Sequence, residues 1–267
     1  NNTYLITFLV ALTVWSYTLS SCKKENPENK YLKLAEDIIV EKPDSALILL
    51  DSIKDIHKLN KELQMRYYVT LVQANYKTYK DVAKDTMIFK AAHYLNVYSN
   101  DDRQKATANL YAGCVYKENN EFTKAMEYLQ NARSLANNTE DINLKALINS
   151  QVGEAFYNEN LPDSAISYQK QAFWLYSEIY NKEDEQMACA YQTVANYAMT
   201  SNHDSALHYI GIGLKIAEKT NNLKFKSRFL NSAGNNYRKK RLLKEAKSAL
   251  LHALNIDKED GVIPTIY

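Results

Sequence analysis

The side chains best suited to binding chemistry lie near the end of the chain, where basic residues are concentrated. Residues 221–250 hold nine Lys or Arg against one acidic residue, Glu245, in a chain whose net charge is only +2. Guanidinium and ammonium groups bind carboxylates and phosphates through charge-assisted hydrogen bonds. Three interpretations follow: a site for an acidic peptide, a nucleic-acid surface along Arg238–Arg241, or a solvated face that pairs with acidic neighbours.

No arrangement of residues predicts catalysis. The five histidines are scattered, and the sequence contains no Gly-rich phosphate loop, HExxH, G-x-S-x-G or CxxC motif. Cys114 and Cys189 fall inside apolar helical patterns, where a cysteine fills a small core position. We therefore expect a protein that is not an enzyme, with no catalytic residue, no cofactor and no metal.

The N-terminal segment predicts export. Residues 4–19 carry no charge, and Leu19-Ser20-Ser21-Cys22 follows them directly. This resembles a bacterial lipobox, which implies a lipoprotein-type signal peptide at 1–21, lipid on Cys22 and a polar tether at 22–30. The expected location is the bacterial cell envelope, lipid-anchored in the periplasm or at the outer membrane, with no nucleic-acid partner. The alternatives are an ordinary signal peptide with a chance cysteine, or an uncleaved anchor.

The rest of the chain repeats one pattern of small and aromatic residues. A small residue is followed three positions later by an aromatic one, and then by two further small residues seven apart. The four copies are Gly113, Tyr116, Ala125 and Ala132; Gly153, Phe156, Ala165 and Ala172; Val194, Tyr197, Ala206 and Gly213; and Gly234, Tyr237, Ala246 and Ala253. Looser copies align at Ala46 and Met87, with intervals near 40 residues throughout. Such a fixed period indicates stacked helical repeats.

The spacing resembles the tetratricopeptide repeat (TPR), with a longer period. With few Gly and Pro and 46% apolar residues, the resemblance implies an all-α, right-handed α-solenoid over residues 31–267. We expect about six hairpins, at 31–55, 62–98, 103–137, 143–180, 184–220 and 223–256, and the start of a further helix at 260–267. The glycines and alanines allow close helix approach, the aromatic residues are core, and Trp174 packs between hairpins.

The resemblance also implies a function. First helices of TPR hairpins line a concave groove, and the groove positions of the last hairpin are Arg228, Asn231, Asn235, Arg238 and Lys239. These residues resemble the clamp by which some TPR domains hold a peptide carboxylate. We expect a scaffold that binds a protein or peptide. The alternative, from a resemblance to Gram-negative envelope TPR proteins, is the sensory input region of a longer signalling or transcriptional regulator.

Overall fold

The structure, a computed structural model, describes residues 27–179 and 181–259. The predicted signal peptide, Cys22 and the helix predicted at 260–267 lie outside these residues. Throughout the described part, all regular structure is helical, with twelve α-helices and one short 3₁₀ helix. No helix among the described residues is both long and apolar enough to cross a membrane.

The helices fall into two compact units, with the division between Lys80 and Asp81. The first unit holds α1 (Pro27–Ile38), α2 (Pro43–Asp51), the 3₁₀ helix Ile56–Lys58 and α3 (Lys61–Lys77). The second holds α4 (Met87–Tyr98), α5 (Asp102–Glu118), α6 (Phe122–Asn137), α7 (Ile142–Asn158), α8 (Pro162–Ser177), α9 (Glu183–Met199), α10 (His203–Lys219), α11 (Leu223–Lys239) and α12 (Leu243–Glu259).

The first unit is a small helical cluster around aliphatic residues of α1 and α2. Leu32, Ala35, Ala46 and Leu50 are fully buried. A proline at the first position starts α2, where its missing N–H costs no intrahelical hydrogen bond. The guanidinium of Arg66 on α3 donates to both carboxylate oxygens of Glu36 on α1, which ties the third helix to the first.

The second unit contains four helical hairpins that pack in the same way. Helices α5 and α6, α7 and α8, α9 and α10, and α11 and α12 pair as hairpins, and the second helix of each hairpin packs against the first helix of the next. The predicted all-α repeat fold is confirmed. Each helix of these hairpins is 16 or 17 residues long, which accounts for a period longer than that of the standard TPR.

Close packing inside the hairpins occurs at the repeated glycines. A Cβ added to Gly113 would lie 2.8 Å from Leu129 Cγ and 3.2 Å from the Ala125 carbonyl oxygen. The added Cβ at Gly234 would lie 2.5 Å from Leu250 Cγ. The repeated alanines of the second helices are all buried: Ala125, Ala132, Ala165, Ala172, Ala206, Ala246 and Ala253. The glycines therefore leave room for a leucine side chain of the partner helix, and the buried alanines keep the helices close.

Every hairpin turn in the second unit uses the same helix ending. A residue with left-handed backbone follows the first helix: Asn120, Asn160, Ser201 and Arg241, with φ between 57° and 62°. The next N–H donates to the carbonyl of the repeated aromatic residue, for example from Leu242 to Tyr237 at 2.9 Å. This six-to-one hydrogen bond defines a Schellman motif. It turns the chain sharply, so that the second helix folds back on the first.

Two expectations are wrong in detail. The predicted hairpin at 62–98 is divided between the units, because α3 belongs to the first and α4 to the second. Trp174 does not pack between hairpins: it is 55% exposed, and its neighbour Phe173 is buried and meets Tyr209 of α10 instead. Adjacent helical residues lie about 100° apart around the axis, so only one of the two could face the junction.

Candidate functional site

The candidate site lies on α11, where the five predicted groove residues share one face. Arg228, Asn231, Asn235, Arg238 and Lys239 are all exposed. The Arg228 guanidinium lies over the Phe225 ring, 5.7 Å from its centre. Intervals of three or four residues from Arg228 to Arg238, with Lys239 four residues after Asn235, place the side chains in one broad stripe along the helix. The stripe offers guanidinium, ammonium and amide N–H donors to an anionic group.

The five residues of the stripe fall into two groups, according to whether the equivalent residues of the earlier hairpins are buried. The repeat aligns Arg238 with Lys117 of α5, whose side chain is only 5% exposed. The Lys117 ammonium donates to Gln151 Oε1 at 2.8 Å and to Glu154 Oε2 at 2.6 Å, both on α7. In the first hairpin of this array, the residue equivalent to Arg238 therefore lies in the interface with α7.

Asn231 and Asn235 also align with interface residues. Asn231 is equivalent to Tyr191, whose ring packs edge-on against Phe229 of α11 at 5.7 Å. Asn235 is equivalent to Cys114, whose thiol lies 3.5 Å from Gln151 Oε1. These positions face the next hairpin rather than an open groove.

Arg228 and Lys239 behave differently. Residues equivalent to Arg228 are half-buried or exposed in every earlier hairpin: Thr107, Leu147 and Ala188. Residues equivalent to Lys239 are exposed in every earlier hairpin: Glu118, Asn158 and Met199. Of the predicted set, these two alone occupy positions that are not fully buried in any earlier hairpin.

The repeated aromatic residues join neighbouring hairpins. Tyr116 stacks on Phe89 of α4 at 4.3 Å and lies 5.5 Å from Tyr128 of its own hairpin. Phe156 lies between Phe122 and Tyr168, with centroid distances of 5.8 and 5.6 Å. Tyr197 packs near Tyr209 at 5.9 Å, and Tyr237 is half-buried against the core. Tyr116, Phe156 and Tyr197 therefore each contact other aromatic rings of the protein.

The buried Lys117 cluster was not predicted from the sequence. Gln151 directly follows Asn149 and Ser150, and Glu154 follows Gly153 in the repeat. The signal that could have identified it is the alignment of Lys117 with Arg238, because a basic residue at a stacking position requires an acceptor on the next helix.

The buried cysteines offer no reactive thiol. Cys114 and Cys189 are both buried. Burial raises the pKa of the Cys189 thiol to about 12, so it stays protonated near neutral pH and is a poor nucleophile. Among the residues that the structure describes, no group of three or more His, Cys, Asp or Glu is arranged to hold a metal ion.

Comparison with known proteins identifies one curated relative. The chain is 21% identical over 220 residues to response regulator aspartate phosphatase E of Bacillus subtilis strain 168. The alignment covers 79% of this chain and 59% of the relative, so the chain spans well under two thirds of that protein's length. No protein-family model matches the chain.

Solved structures match the fold more completely. The apo form of RapI superposes with a TM-score of 0.76 and 15% identity, over 88% of this chain and 67% of RapI. The TPR-like repeats of a putative kinesin light chain from Podosopora anserina match with a TM-score of 0.64 and 11% identity, over 76% of this chain and 99% of theirs. The Rap conjugation gene regulator of plasmid pLS20, in complex with the Phr* peptide, matches with a TM-score of 0.50 and 18% identity. The match covers 86% of this chain and 63% of that regulator.

These identities are low, and what the proteins share with this chain is the arrangement of paired helices. The stacked hairpins, the repeated small residues at their crossings and the likeness to RapI and to the kinesin light chain repeats all describe one architecture. The chain has the fold of the TPR-like helical repeat proteins.

Proposed function

We propose that this protein is a non-catalytic interaction scaffold that binds an acidic or carboxylate-bearing peptide along the open face of its first helices. The observation that carries the proposal is the exposure of Arg228 and Lys239, at positions that are not fully buried in any earlier hairpin. Among residues 27–179 and 181–259, neither side chain forms an ion pair. Both charges are therefore available to an anionic ligand.

The chemistry of this face supports a peptide ligand. Two cations eleven residues apart lie on the same side of α11, about three helical turns from each other. That separation, roughly 16 Å, suits an extended peptide of about five residues better than a small anion. The preceding first helix offers Ala188 and Met199 at the equivalent positions, so the neighbouring surface accepts apolar side chains.

The comparisons support the same class of ligand. A Rap protein with this helical arrangement was solved in complex with a peptide. The curated relative carries the name of a phosphatase. We propose no catalysis for this chain, since the exposed groups of α11 are hydrogen-bond donors and contain no nucleophile. Incubation with an aspartyl-phosphorylated response regulator should leave its rate of dephosphorylation unchanged, and a catalytic acceleration would refute this part of the proposal.

The proposal includes the location. We propose that Cys22 carries lipid and anchors the array in the cell envelope, on the strength of the Leu19-Ser20-Ser21-Cys22 sequence. Labelling of the expressed protein with palmitate should mark the wild-type chain and spare the Cys22→Ala variant. Equal labelling of both would refute lipidation without bearing on peptide binding.

The binding proposal is tested with a fluorescent peptide of Asp, Glu and Ala that ends in a free carboxylate. Each charge-assisted hydrogen bond contributes about 1.5–3 kcal/mol, and about 1.4 kcal/mol is a tenfold change in affinity. The Arg228→Ala, Lys239→Ala double variant should therefore bind at least tenfold more weakly, as measured by fluorescence anisotropy.

The matched control is Lys244→Ala with Lys247→Ala, which removes the same charge from exposed positions of α12. Its affinity should change less than twofold. If both double variants lose affinity equally, the ligand senses only net charge and the α11 site is wrong.

A further inference from the structure

The last described hairpin carries a second surface, distinct from the open face. We name it the end face and define it by Arg238 of α11 and Leu243 and Leu250 of α12, with Asn231 and Asn235 beside them. Leu243 is 67% exposed and Leu250 is 37% exposed. Large apolar side chains next to a basic residue make this a candidate interaction surface.

Internal comparison shows what kind of surface it is. Residues equivalent to Leu250 are almost completely buried in all three earlier hairpins: Leu129, Gln169 and Ile210. Two of the residues equivalent to Leu243 contact the next first helix: Phe122 lies 5.8 Å from the Phe156 ring, and His203 Nδ1 lies 2.9 Å from Asn236 Oδ1. At the positions of Leu250 and Leu243, the end face thus repeats the surface on which earlier hairpins receive a helix.

The first such junction also shows what the received helix must carry. Lys117, the equivalent of Arg238, is held by Gln151 and Glu154 of α7, and Phe156 of the same helix meets Phe122. The docking face of α7 therefore reads Gln-x-x-Glu-x-Phe. Glu154 binds the cation, and Phe156, two residues later, makes the apolar contact.

We propose that the end face binds an amphipathic helix of a separate acidic polypeptide, with a carboxylate placed against Arg238 and an apolar or aromatic residue against Leu243. Two observations select this occupant. The surface continues an interface that this chain already makes between α5–α6 and α7. The surrounding segment 221–250 holds nine basic residues and one acidic residue, so an acidic helix is attracted and a basic one is repelled. The inference does not depend on the proposed peptide site, which uses Arg228 and Lys239.

The probe is a hydrocarbon-stapled peptide with the sequence of α7, residues 142–158, in which Lys145→Glu makes the otherwise neutral helix acidic. The staple is needed because an unstapled helix of this length is only marginally stable in water. Binding to the full chain is measured by fluorescence anisotropy. We expect saturable binding, with affinity lowered at least tenfold by Arg238→Glu or by Leu243→Asp. A peptide with Glu154→Arg should bind the Arg238→Glu chain better than it binds the wild-type chain, as charge exchange requires.

Lys239→Glu is the matched control. It makes the same charge change one residue away, at a position that is exposed in every hairpin, and it should alter the affinity for the stapled helix less than twofold. The acidic unstructured peptide of the open-face experiment should respond in the opposite way, losing affinity with Lys239→Glu and not with Leu243→Asp. The two proposals can therefore fail separately.

Three results would overturn the end-face proposal. The first is no binding of the stapled helix to the wild-type chain, and the second is equal loss with Arg238→Glu and Lys239→Glu. The third is binding that appears only after residues 260–267 are deleted, which would mean that the chain covers the face itself. Circular dichroism of each variant checks that the array is folded before any loss is interpreted.

Discussion

Helices α5 and α11 occupy the same place in their hairpins, yet equivalent residues have opposite surroundings. Lys117 of α5 is buried and held by two acceptors of α7, whereas Arg238 of α11 is exposed. Cys114 is buried, whereas its equivalent Asn235 is exposed. The difference lies in the neighbour rather than in the helix, since both helices are 17 residues long and both carry a glycine against their own partner.

A stacked array therefore contains two kinds of position. Positions that face the helix's own hairpin, such as Gly113 and Gly234, have the same surroundings in both hairpins. Positions that face the next hairpin are core or surface depending on what is packed there. In a repeat protein, where contacts are between neighbours only, the role of a residue is therefore set by the following repeat.

The largest expected difference between the α5–α6 hairpin and the α11–α12 hairpin is in the stability lost when their equivalent leucines are truncated. Leu129→Ala should lower the free energy of unfolding by about 3 kcal/mol, because the side chain is fully buried and its loss leaves a cavity. Leu250→Ala should cost about 1 kcal/mol, since that leucine is already 37% exposed. Urea denaturation followed by circular dichroism measures both.

Because stacked repeats can unfold locally, hydrogen exchange of α6 and α12 should accompany the denaturation curves. Leu129→Ala should accelerate exchange in α6, and Leu250→Ala should accelerate it in α12 by less. Equal costs for the two leucines would mean that the end face is covered in solution and would remove the contrast between the hairpins.

The second difference concerns the two cations. Lys117→Ala should destabilise the array by about 2 kcal/mol, because it removes the ammonium donor to Gln151 Oε1 and the ion-pair partner of Glu154 at a junction where the lysine side chain is only 5% exposed. The cost stays below that of a fully buried pair, since the Glu154 side chain is 42% exposed. Arg238→Ala should change stability by less than about 0.5 kcal/mol, as expected for an exposed residue.

A double variant sharpens this prediction. Lys117→Ala combined with Glu154→Ala should be less destabilising than the sum of the two single changes, because each removes the partner that the other leaves behind. Additive losses, measured by the same denaturation curves, would show that the two side chains do not interact.

The fold was largely predictable, because its determinants are local. Small residues at helix crossings recur about every 40 positions, and the period alone indicates stacked hairpins. The division after Lys80 was not predictable: Met87 was aligned with Ala125, but it is half-buried while Ile88 and Ala92 are fully buried. A single degenerate repeat does not reveal whether its two helices pack together.

The candidate site was predicted only in part, for the reason that α5 and α11 illustrate. Helical spacing predicts that five polar residues share one side of α11. It cannot tell Arg228 and Lys239, whose equivalents are never fully buried, from Arg238, whose equivalent in α5 is buried. That distinction depends on contacts with the following helix, which the sequence of α11 does not contain. Trp174 was misplaced for a related reason, because the repeat gave no indication of which of two adjacent aromatic residues faces the junction.

The smallest expected difference between the two hairpins lies in their turns. Asn120 and Arg241 both adopt left-handed backbone, with φ of 58° and 62°. Asn tolerates this conformation well, whereas a long side chain with a Cβ is strained in it. Arg241→Gly should therefore raise the free energy of unfolding by about 0.5 kcal/mol, and Asn120→Gly should leave it nearly unchanged. The midpoint of urea denaturation at constant slope measures both changes. A loss of stability in Arg241→Gly would mean that the arginine side chain contributes contacts that outweigh the backbone strain, and the end of α11 would then differ from the other three turns in more than its residue type.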